Sequence, residues 1–421
     1  MSRVLVDSGI DWIGKIPANW NIQPLGLYLK ERKEKVSDID YEPLSVTKNG
    51  IVPQLENAAK SDAHDQRKKV CKFDFVINSR SDRKQSCGLS YLEGSVSLIN
   101  TVLKIYNYYP EYIKYALDNN MFSEEFYRNG HGIVADLWTT KYSEMKHIRI
   151  PEPNYDEQKN IANFLDKQCA KIDEIINDNN REVELLQEYK SNFISKVIEK
   201  GMTGGVKKID NKYISSIPNN SSLVMLKQIT NLITDGTHQT PTYISDGIPF
   251  LSIKDISSGI IDLSNCKYIS NEEHKALSKH ANIEKNDLLF CRIGTLGKSI
   301  VVEEKYLPFD IFVSLGLIKI KKEIINPYYL KYVMESNYYK EYIEVVKIDG
   351  GVSAAKFNLS SVKSSPIILP KLDEQNLIVK YLNKQCSKLD QVIKYRKQII
   401  EKLEEYKRSL IYECVTGKRE V

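Results

Sequence analysis

Few of this chain's reactive side chains fall at spacings that do chemistry. Asn326-Pro327-Tyr328-Tyr329 approaches the Asn-Pro-Pro-Tyr pattern that holds an exocyclic amine for methyl transfer. The second Pro is missing, and no glycine-rich strand-to-helix turn for a methyl donor precedes it. The tetrad therefore reads as a helix start, with Pro in the first turn. Gly297-Lys298-Ser299 looks like the end of a phosphate-binding loop, but the Gly needed five positions before Gly297 is Arg292. Glu303-Glu304-Lys305 reads as a solvated turn rather than a nuclease cluster. The six histidines (His64, His131, His147, His238, His274, His280) show no metal-ligand spacing, and nothing marks a Ser-His-Asp arrangement. The default is a chain without catalysis, metal or cofactor.

One stretch organises the rest, and it occurs twice. Asp156-Glu157-Gln158 … Lys167-Gln168-Cys169 … Lys171-Ile172-Asp173 … Glu188-Tyr189-Lys190 returns as Asp373-Glu374-Gln375 … Lys384-Gln385-Cys386 … Lys388-Leu389-Asp390 … Glu405-Tyr406-Lys407, at a constant offset of 217 residues. Neither copy contains Pro or Gly before Gly201 or Gly417. Ile172, Ile175, Ile176, Val183, Leu186, Tyr189, Phe193 and Val197 in the first copy fall at spacings of three and four. So do Leu389, Val392, Ile393, Ile399, Ile400, Leu403, Tyr406, Leu410 and Cys414 in the second. An apolar stripe flanked by charge is the pattern of a long amphipathic or coiled-coil helix. At about 1.5 Å per residue, thirty-odd residues make a rod of roughly 50 Å. The cheapest partner for one stripe is the other, so the rods are expected to pair antiparallel. The seam runs through Ile172, Leu186, Phe193, Leu389, Leu403 and Leu410. Asn179 and Arg396 interrupt it at the same repeat position and are expected near the crossing, fixing register.

The repeat extends beyond the helices. Ile16-Pro17 with Leu25 answers Ile217-Pro218 with Leu226, and Pro43-Leu44-Ser45-Val46 answers Phe250-Leu251-Ser252-Ile253. Phe73–Arg80 and Asn286–Arg292 are strands with an Arg at the end, each followed by a polar loop with Gly. Pro110 and Pro327 open helices, and Asn129-Gly130-His131-Gly132 and Asp349-Gly350-Gly351 lead to the strand before each rod. The chain thus reads head, rod, head, rod: residues 1–152, 153–204, 205–369 and 370–421. The strands are too scattered for a βαβ series, so the class is α+β: two pseudo-repeated heads of mixed helix and strand, separated by two long paired helices.

Composition sets limits. At 421 residues, 42% hydrophobic and 27% charged, the chain is an ordinary folded protein with room for two to four domains. No apolar run reaches the length of a membrane span, and Met1-Ser2-Arg3 opens no signal peptide. Seven cysteines, with no Cys-x-x-Cys, suit a reducing cytoplasm. The net charge of +5 is mild and no segment is a basic arm, so nucleic-acid contact must come from local clusters of Arg and Lys.

The duplicated Asp-Glu-Gln … Leu-x-Lys-Gln-Cys helices ending in Thr203-Gly204 and Thr416-Gly417 carry a resemblance. So do the opening Asp7-Ser8-Gly9-Ile10-Asp11-Trp12-Ile13-Gly14-Lys15-Ile16-Pro17, Asp235-Gly236-Thr237-His238-Gln239-Thr240-Pro241, and Arg292-Ile293-Gly294-Thr295-Leu296-Gly297-Lys298. Over essentially its whole length the chain resembles the specificity subunit of a Type I restriction–modification system. The second head's opening lacks the Ser-Gly-Ile-x-Trp residues. The resemblance implies that each head is a target recognition domain for one half of an asymmetric, bipartite site in double-stranded DNA. It implies that the rods set the gap and dock two methyltransferase subunits, which bind S-adenosylmethionine and methylate adenine at N6. Motor–nuclease subunits using ATP and magnesium complete the restriction enzyme. This chain would supply specificity and scaffold only.

Reading DNA needs Arg, Lys, Asn or Gln on base edges and Lys, Ser or Thr on phosphates. The candidates are Arg80, Arg83, Lys84 and Gln85 in the first head. In the second they are Thr237, His238, Gln239, Lys254, Arg292, Thr295 and Lys298, with Lys48, Asn49, His131 and Lys356 ranked lower. The bland alternative for each is a solvated residue. For Arg292 it is a structural pair with an acidic neighbour such as Asp287, and for His238 a hydrogen bond within its own loop. A coiled-coil adaptor or solo DNA-binding regulator remains the competing function, favoured by failure to associate with any methyltransferase. Methylation or cleavage by the chain alone would favour an enzyme.

Overall fold

The computed structural model describes residues 3–55, 64–132, 138–202, 204–256, 259–349 and 354–421; Thr203, Gly350 and Gly351 lie outside the described residues. The chain divides into two compact units, Met1–Asn180 with Lys397–Val421, and Arg181–Arg396. No described helix is long and apolar enough to cross a membrane.

The first unit is built on a four-stranded antiparallel sheet in the order Cys87–Leu89, Phe75–Asn78, Asn100–Ile105, Leu29–Glu31. Phe75, Val76, Ile77 and Leu103 are buried, which fits strands covered on both faces. A second sheet joins Gly94–Val96, Arg67–Val70 and Lys35–Val36, and a hairpin joins Leu44–Thr47 to Gly50–Pro53. Helices Pro110–Leu117 and Asn120–Arg128 bring Tyr112, Phe122 and Phe126 into one core with Ile161, Leu165, Leu410 and Cys414 of the long helices.

The second unit repeats the plan. Its sheet runs Ser299–Val301, Leu288–Cys291, Leu315–Ile320, Thr230–Asp235, the same order strand for strand. Lys267–Ile269, Ile248–Leu251 and Asp310–Ile311 form the second sheet, with a parallel step between the last two. Pro327 is the first helical residue of Pro327–Glu335, and the Asn326 side chain accepts from the Tyr328 N–H at 2.8 Å and the Tyr329 N–H at 3.3 Å. The Asn-Pro-Tyr-Tyr tetrad is therefore a helix cap.

The long helices are Tyr155–Lys200 and Leu372–Val415. In the second unit Lys190 meets Asp390 at 2.6 Å and Arg396 meets Glu182 at 2.8 Å. In the first, Lys407 meets Asp173 at 2.7 Å and Arg419 lies over the Phe164 ring. In both units numbers rise along one helix as they fall along the other, so the coiled coil is antiparallel. Ile172 and Leu410 are buried in the seam, and Leu186, Phe193, Leu389 and Leu403 are half-buried. Asn179 is buried and donates to the Ile175 carbonyl at 2.7 Å. The stripe is narrower than its spacing suggests. Ile175, Tyr189, Val392 and Tyr406 face outward, because steps of three or four residues drift off a two-helix seam.

Each long helix is locked to its unit by a buried glutamine. Gln158 accepts from the Tyr109 N–H at 2.9 Å and donates to the Pro153 carbonyl at 2.9 Å. Gln375 accepts from the Asn326 N–H at 2.8 Å and donates to the carbonyls of Pro370 at 2.9 Å and Ile324 at 3.0 Å. Every pair of equivalents is 217 residues apart. Tyr115 on Asp166 (2.6 Å) and Tyr332 on Asn383 (2.7 Å) repeat the same way.

Candidate nucleic-acid interface

In the first unit, strand Phe75–Asn78 delivers its polar loop through a short ladder. Ser79 Oγ bonds Thr101 Oγ1 at 2.9 Å, and the Ser79 carbonyl accepts from the Thr140 N–H at 3.0 Å. The Ser81 N–H donates to the Trp138 carbonyl at 3.1 Å, and His131 and Thr139 exchange two backbone bonds of 3.0 Å. Thr139 thus stands between Arg80 and His131. Arg80 and Arg83 are exposed, and among the described residues neither guanidinium makes an ion pair or hydrogen bond. Lys84 and Gln85 are tied instead to the helix behind them, Lys84 to Glu124 at 3.0 Å and Gln85 to Asn120. Lys48 and Asn49 form the tip of the Leu44–Pro53 hairpin. A Cβ on Gly88 would meet Gly50 Cα at 2.9 Å, so the hairpin lies directly against the strand that leaves the loop.

The second unit builds the same ladder from other residues. Lys356 pairs with both Ile293 and Ile348, as Thr139 does with Arg80 and His131, and the Phe357 N–H donates to the Arg292 carbonyl at 2.8 Å. Here the arginine is held. Arg292 Nη1 donates to Asp235 Oδ2, and to the Val313 carbonyl at 3.2 Å. The same Asp235 oxygen faces His238 Nε2 at 3.1 Å. Thr237 is pinned to Ile311 and Val313 by backbone bonds of 3.1 and 2.9 Å. Thr237 Oγ1 accepts from the Gln239 N–H at 3.2 Å, leaving His238 and Gln239 exposed at the turn. Thr295 is exposed in the turn between Gly294 and Gly297, both at positive φ. Lys298 is half-buried beside Gly259, and exposed Lys254 donates to the Asn265 carbonyl at 3.2 Å.

The acidic neighbour of Arg292 is Asp235, not Asp287. Asp287 lies 2.9 Å from Lys319, and burial raises its pKa against the pull of that lysine. Asp235 carries no signal in the sequence beyond its place before Gly-Thr-His. Among the described residues the contacts show no catalytic relay. Burial pushes the Cys291 thiol up to about 11, leaving it neutral and unreactive. Ser278 and Asp310 both contact His274 through Nδ1, at 3.2 and 2.6 Å, whereas a nucleophilic triad needs them on opposite ring nitrogens. Among the described residues no group of His, Cys, Asp and Glu could hold a metal.

Comparison with known proteins agrees with this plan. Residues 218–405 match the family model described as the Type I restriction modification DNA specificity domain. Over 96% of this chain and 95% of its own length, a Methanocaldococcus jannaschii protein assigned as the MjaX type I restriction enzyme specificity subunit is 24% identical. Over almost its whole length the chain is similar to specificity subunits of type I restriction–modification systems. The EcoBI specificity subunit of Escherichia coli is 25% identical over 64% of this chain and 58% of its own length. A chain solved to explain complex assembly and conformational transition of the type I R-M system shares the fold. It superposes with a TM-score of 0.67 over 96% of this chain and 99% of itself, at 13% identity.

Proposed function

We propose that this specificity subunit reads a bipartite, asymmetric site in double-stranded DNA, one half with each unit, and carries no catalytic step itself. The observation behind this is a single frame used twice with different polar loops at the same strand end. Sheet order, glutamine lock and loop ladder all repeat, whereas Ser79-Arg80-Ser81-Asp82 is replaced by Arg292-Ile293-Gly294-Thr295. Two different loops on one frame suit two different half-sites, and joining them makes the second contact intramolecular.

The paired helices act as the ruler between half-sites. Half-sites on one face of the duplex lie about 34–36 Å apart, or a multiple of that. The outward apolar residues Ile175 with Val392, and Tyr189 with Tyr406, recur at equivalent positions, which favours two copies of one partner. Those partners are two methyltransferase subunits, which bring S-adenosylmethionine and methylate adenine at N6. Motor–nuclease subunits bring ATP and magnesium.

Sequencing modified adenines in cells that co-express the subunit with its methyltransferase tests the reading. A split motif, methylated on both strands and dependent on this chain, is the expected result. Exchanging residues 205–369 should change one half only, and inserting helical turns into both long helices should lengthen the spacer alone. No chain-dependent methylation from an assembled complex would favour an adaptor.

A further inference from the structure

The second unit contains a three-residue arrangement that the first lacks, centred on a side chain that need not touch DNA. Asp235 closes strand Thr230–Asp235 and is buried. One of its oxygens receives Arg292 and faces His238 Nε2 at 3.1 Å. The backbone around it is fixed. Gly236 packs so closely on the Ile311 carbonyl that a side chain there would collide with it, and Arg292 is held at its N–H by Ser314 (2.9 Å) and at its carbonyl by Phe357 (2.8 Å). The Arg292 side chain is only 15% exposed and that of His238 is 73% exposed. The histidine is the member that can meet a ligand, and the arginine is its foundation.

An ionised carboxylate only accepts hydrogen bonds, and a guanidinium is permanently charged. With Arg292 on the same oxygen, the histidine nitrogen facing Asp235 must be the one that carries the proton. The partner of one ring nitrogen decides the state of the other. The neutral ring is thereby fixed as the Nε2–H tautomer. Its Nδ1, which makes no hydrogen bond among the described residues, is then an acceptor.

We propose that Asp235 is a positioning residue that, braced by Arg292, sets the tautomer of His238 so that Nδ1 accepts from the exocyclic amine of an adenine or cytosine in the major groove. This rests on the reading of the second unit as a DNA-binding head. Adenine N6 and cytosine N4 are the donors that the major groove offers, whereas guanine and thymine present acceptors at the same depth. In Asp235→Asn, Arg292 holds the carboxamide oxygen at the shared position, so Nε2–H keeps an acceptor, but an uncharged and weaker one, and the tautomer is fixed less firmly.

The test uses the subunit co-expressed and co-purified with its methyltransferase, with adenine methylation mapped across the genome for wild type, Asp235→Asn and His238→Ala. In wild type, one position of the half-site that follows residues 205–369 should be adenine or cytosine. His238→Ala should let that position accept all four bases, with a loss of preference of about tenfold. Asp235→Asn should weaken the preference at that position without inverting it, and the other half-site should not change in either variant. An unchanged motif in His238→Ala would overturn the proposal, as would guanine or thymine at the wild-type position. If Asp235→Asn abolishes assembly, the exposed His238→Ala variant still decides. Absence of any chain-dependent split motif in wild type would overturn the broader reading, and this one with it.

Discussion

The two units share a frame and differ at the arginine that leaves the central strand. In the first, Arg80 is exposed and makes no ion pair among the described residues. In the second, Arg292 is drawn down onto Asp235. The surrounding bonds are nearly the same: a three-segment ladder, a sheet of one order and a glutamine lock at one offset. What repeats is what satisfies buried backbone groups, since an unpaired N–H or C=O costs the same in either copy. What differs are side chains whose partners can be water. Arg292 stands where the first unit has Ser79, and Arg80 where the second has Ile293, so the arginines lie one residue apart in the frame and have different work, one facing outward and the other bracing a loop.

The sharpest way to break that comparison is to remove both. Arg292→Ala leaves the Asp235 carboxylate buried without its cation, and should destabilise the second unit by about 3 kcal/mol in denaturant unfolding. Arg80→Ala should stay within about 0.5 kcal/mol of wild type. It should instead weaken DNA binding by the assembled complex and reduce the salt slope by about 1. If Arg80→Ala also unfolds its unit, the first arginine is structural and the contrast fails.

The shared frame predicts similar penalties at equivalent positions. Gln158→Ala strands the Tyr109 N–H and the Pro153 carbonyl, a loss of about 2 kcal/mol. Gln375→Ala should cost about 1 kcal/mol more, because Gln375 also satisfies the Ile324 carbonyl. Equal losses would mean that the extra bond is replaced by water.

A third contrast appears at the end of the helix that follows the sheet. Glu335 pairs with Lys331 at 2.8 Å, whereas its equivalent, Asp118, accepts only the Cys87 thiol at 3.6 Å among the side chains of the described residues. Desolvation raises the Asp118 carboxyl to about 6, above the 3.8 ordinary for an aspartate. The folded state therefore holds that proton more tightly than the unfolded state. The contribution to stability is complete below about pH 3.8 and is lost as pH rises through about 6. Asp118→Asn should raise stability at pH 7.5 by about 1–2 kcal/mol, the full shift being discounted because the residue is half-buried, and should flatten the profile between pH 4 and 6. A variant with an unchanged profile would place the acid transition in other groups.

Much of the frame was legible because repetition doubles every signal. Helix starts at Pro110 and Pro327, the two long helices and the strands that end near Arg80 and Arg292 stand where spacing and offset put them. Periodicity could not separate the inner from the outer face of those helices, since Ile175 and Ile176 are equally apolar and only one faces out. The interface was legible as loops but not as contacts. Thr139 and Lys356 reach their loops from some sixty residues away, and the Arg292 partner, expected to be an acid near in sequence such as Asp287, is Asp235, which only the sheet register brings close.

The finest comparison lies in the helices themselves. Asp173 with Lys407 and Asp390 with Lys190 are one ion pair written twice, with the roles of the two helices exchanged. Offset arithmetic requires this, since 173 and 390, like 190 and 407, differ by 217. Both pairs are partly exposed, so each should contribute only about 0.3–1 kcal/mol in a double-mutant cycle, and less in high salt. Because the geometry is the same, the two coupling energies should agree within about 0.3 kcal/mol. A difference larger than that would show that the antiparallel contact is tighter in one unit than in the other. Exchanging the charges as Asp173→Lys with Lys407→Asp should restore most of the coupling lost by either change alone. Failure to restore it would mean that neighbouring charges such as Lys114 and Asp166, rather than the pair itself, set the energy at that point.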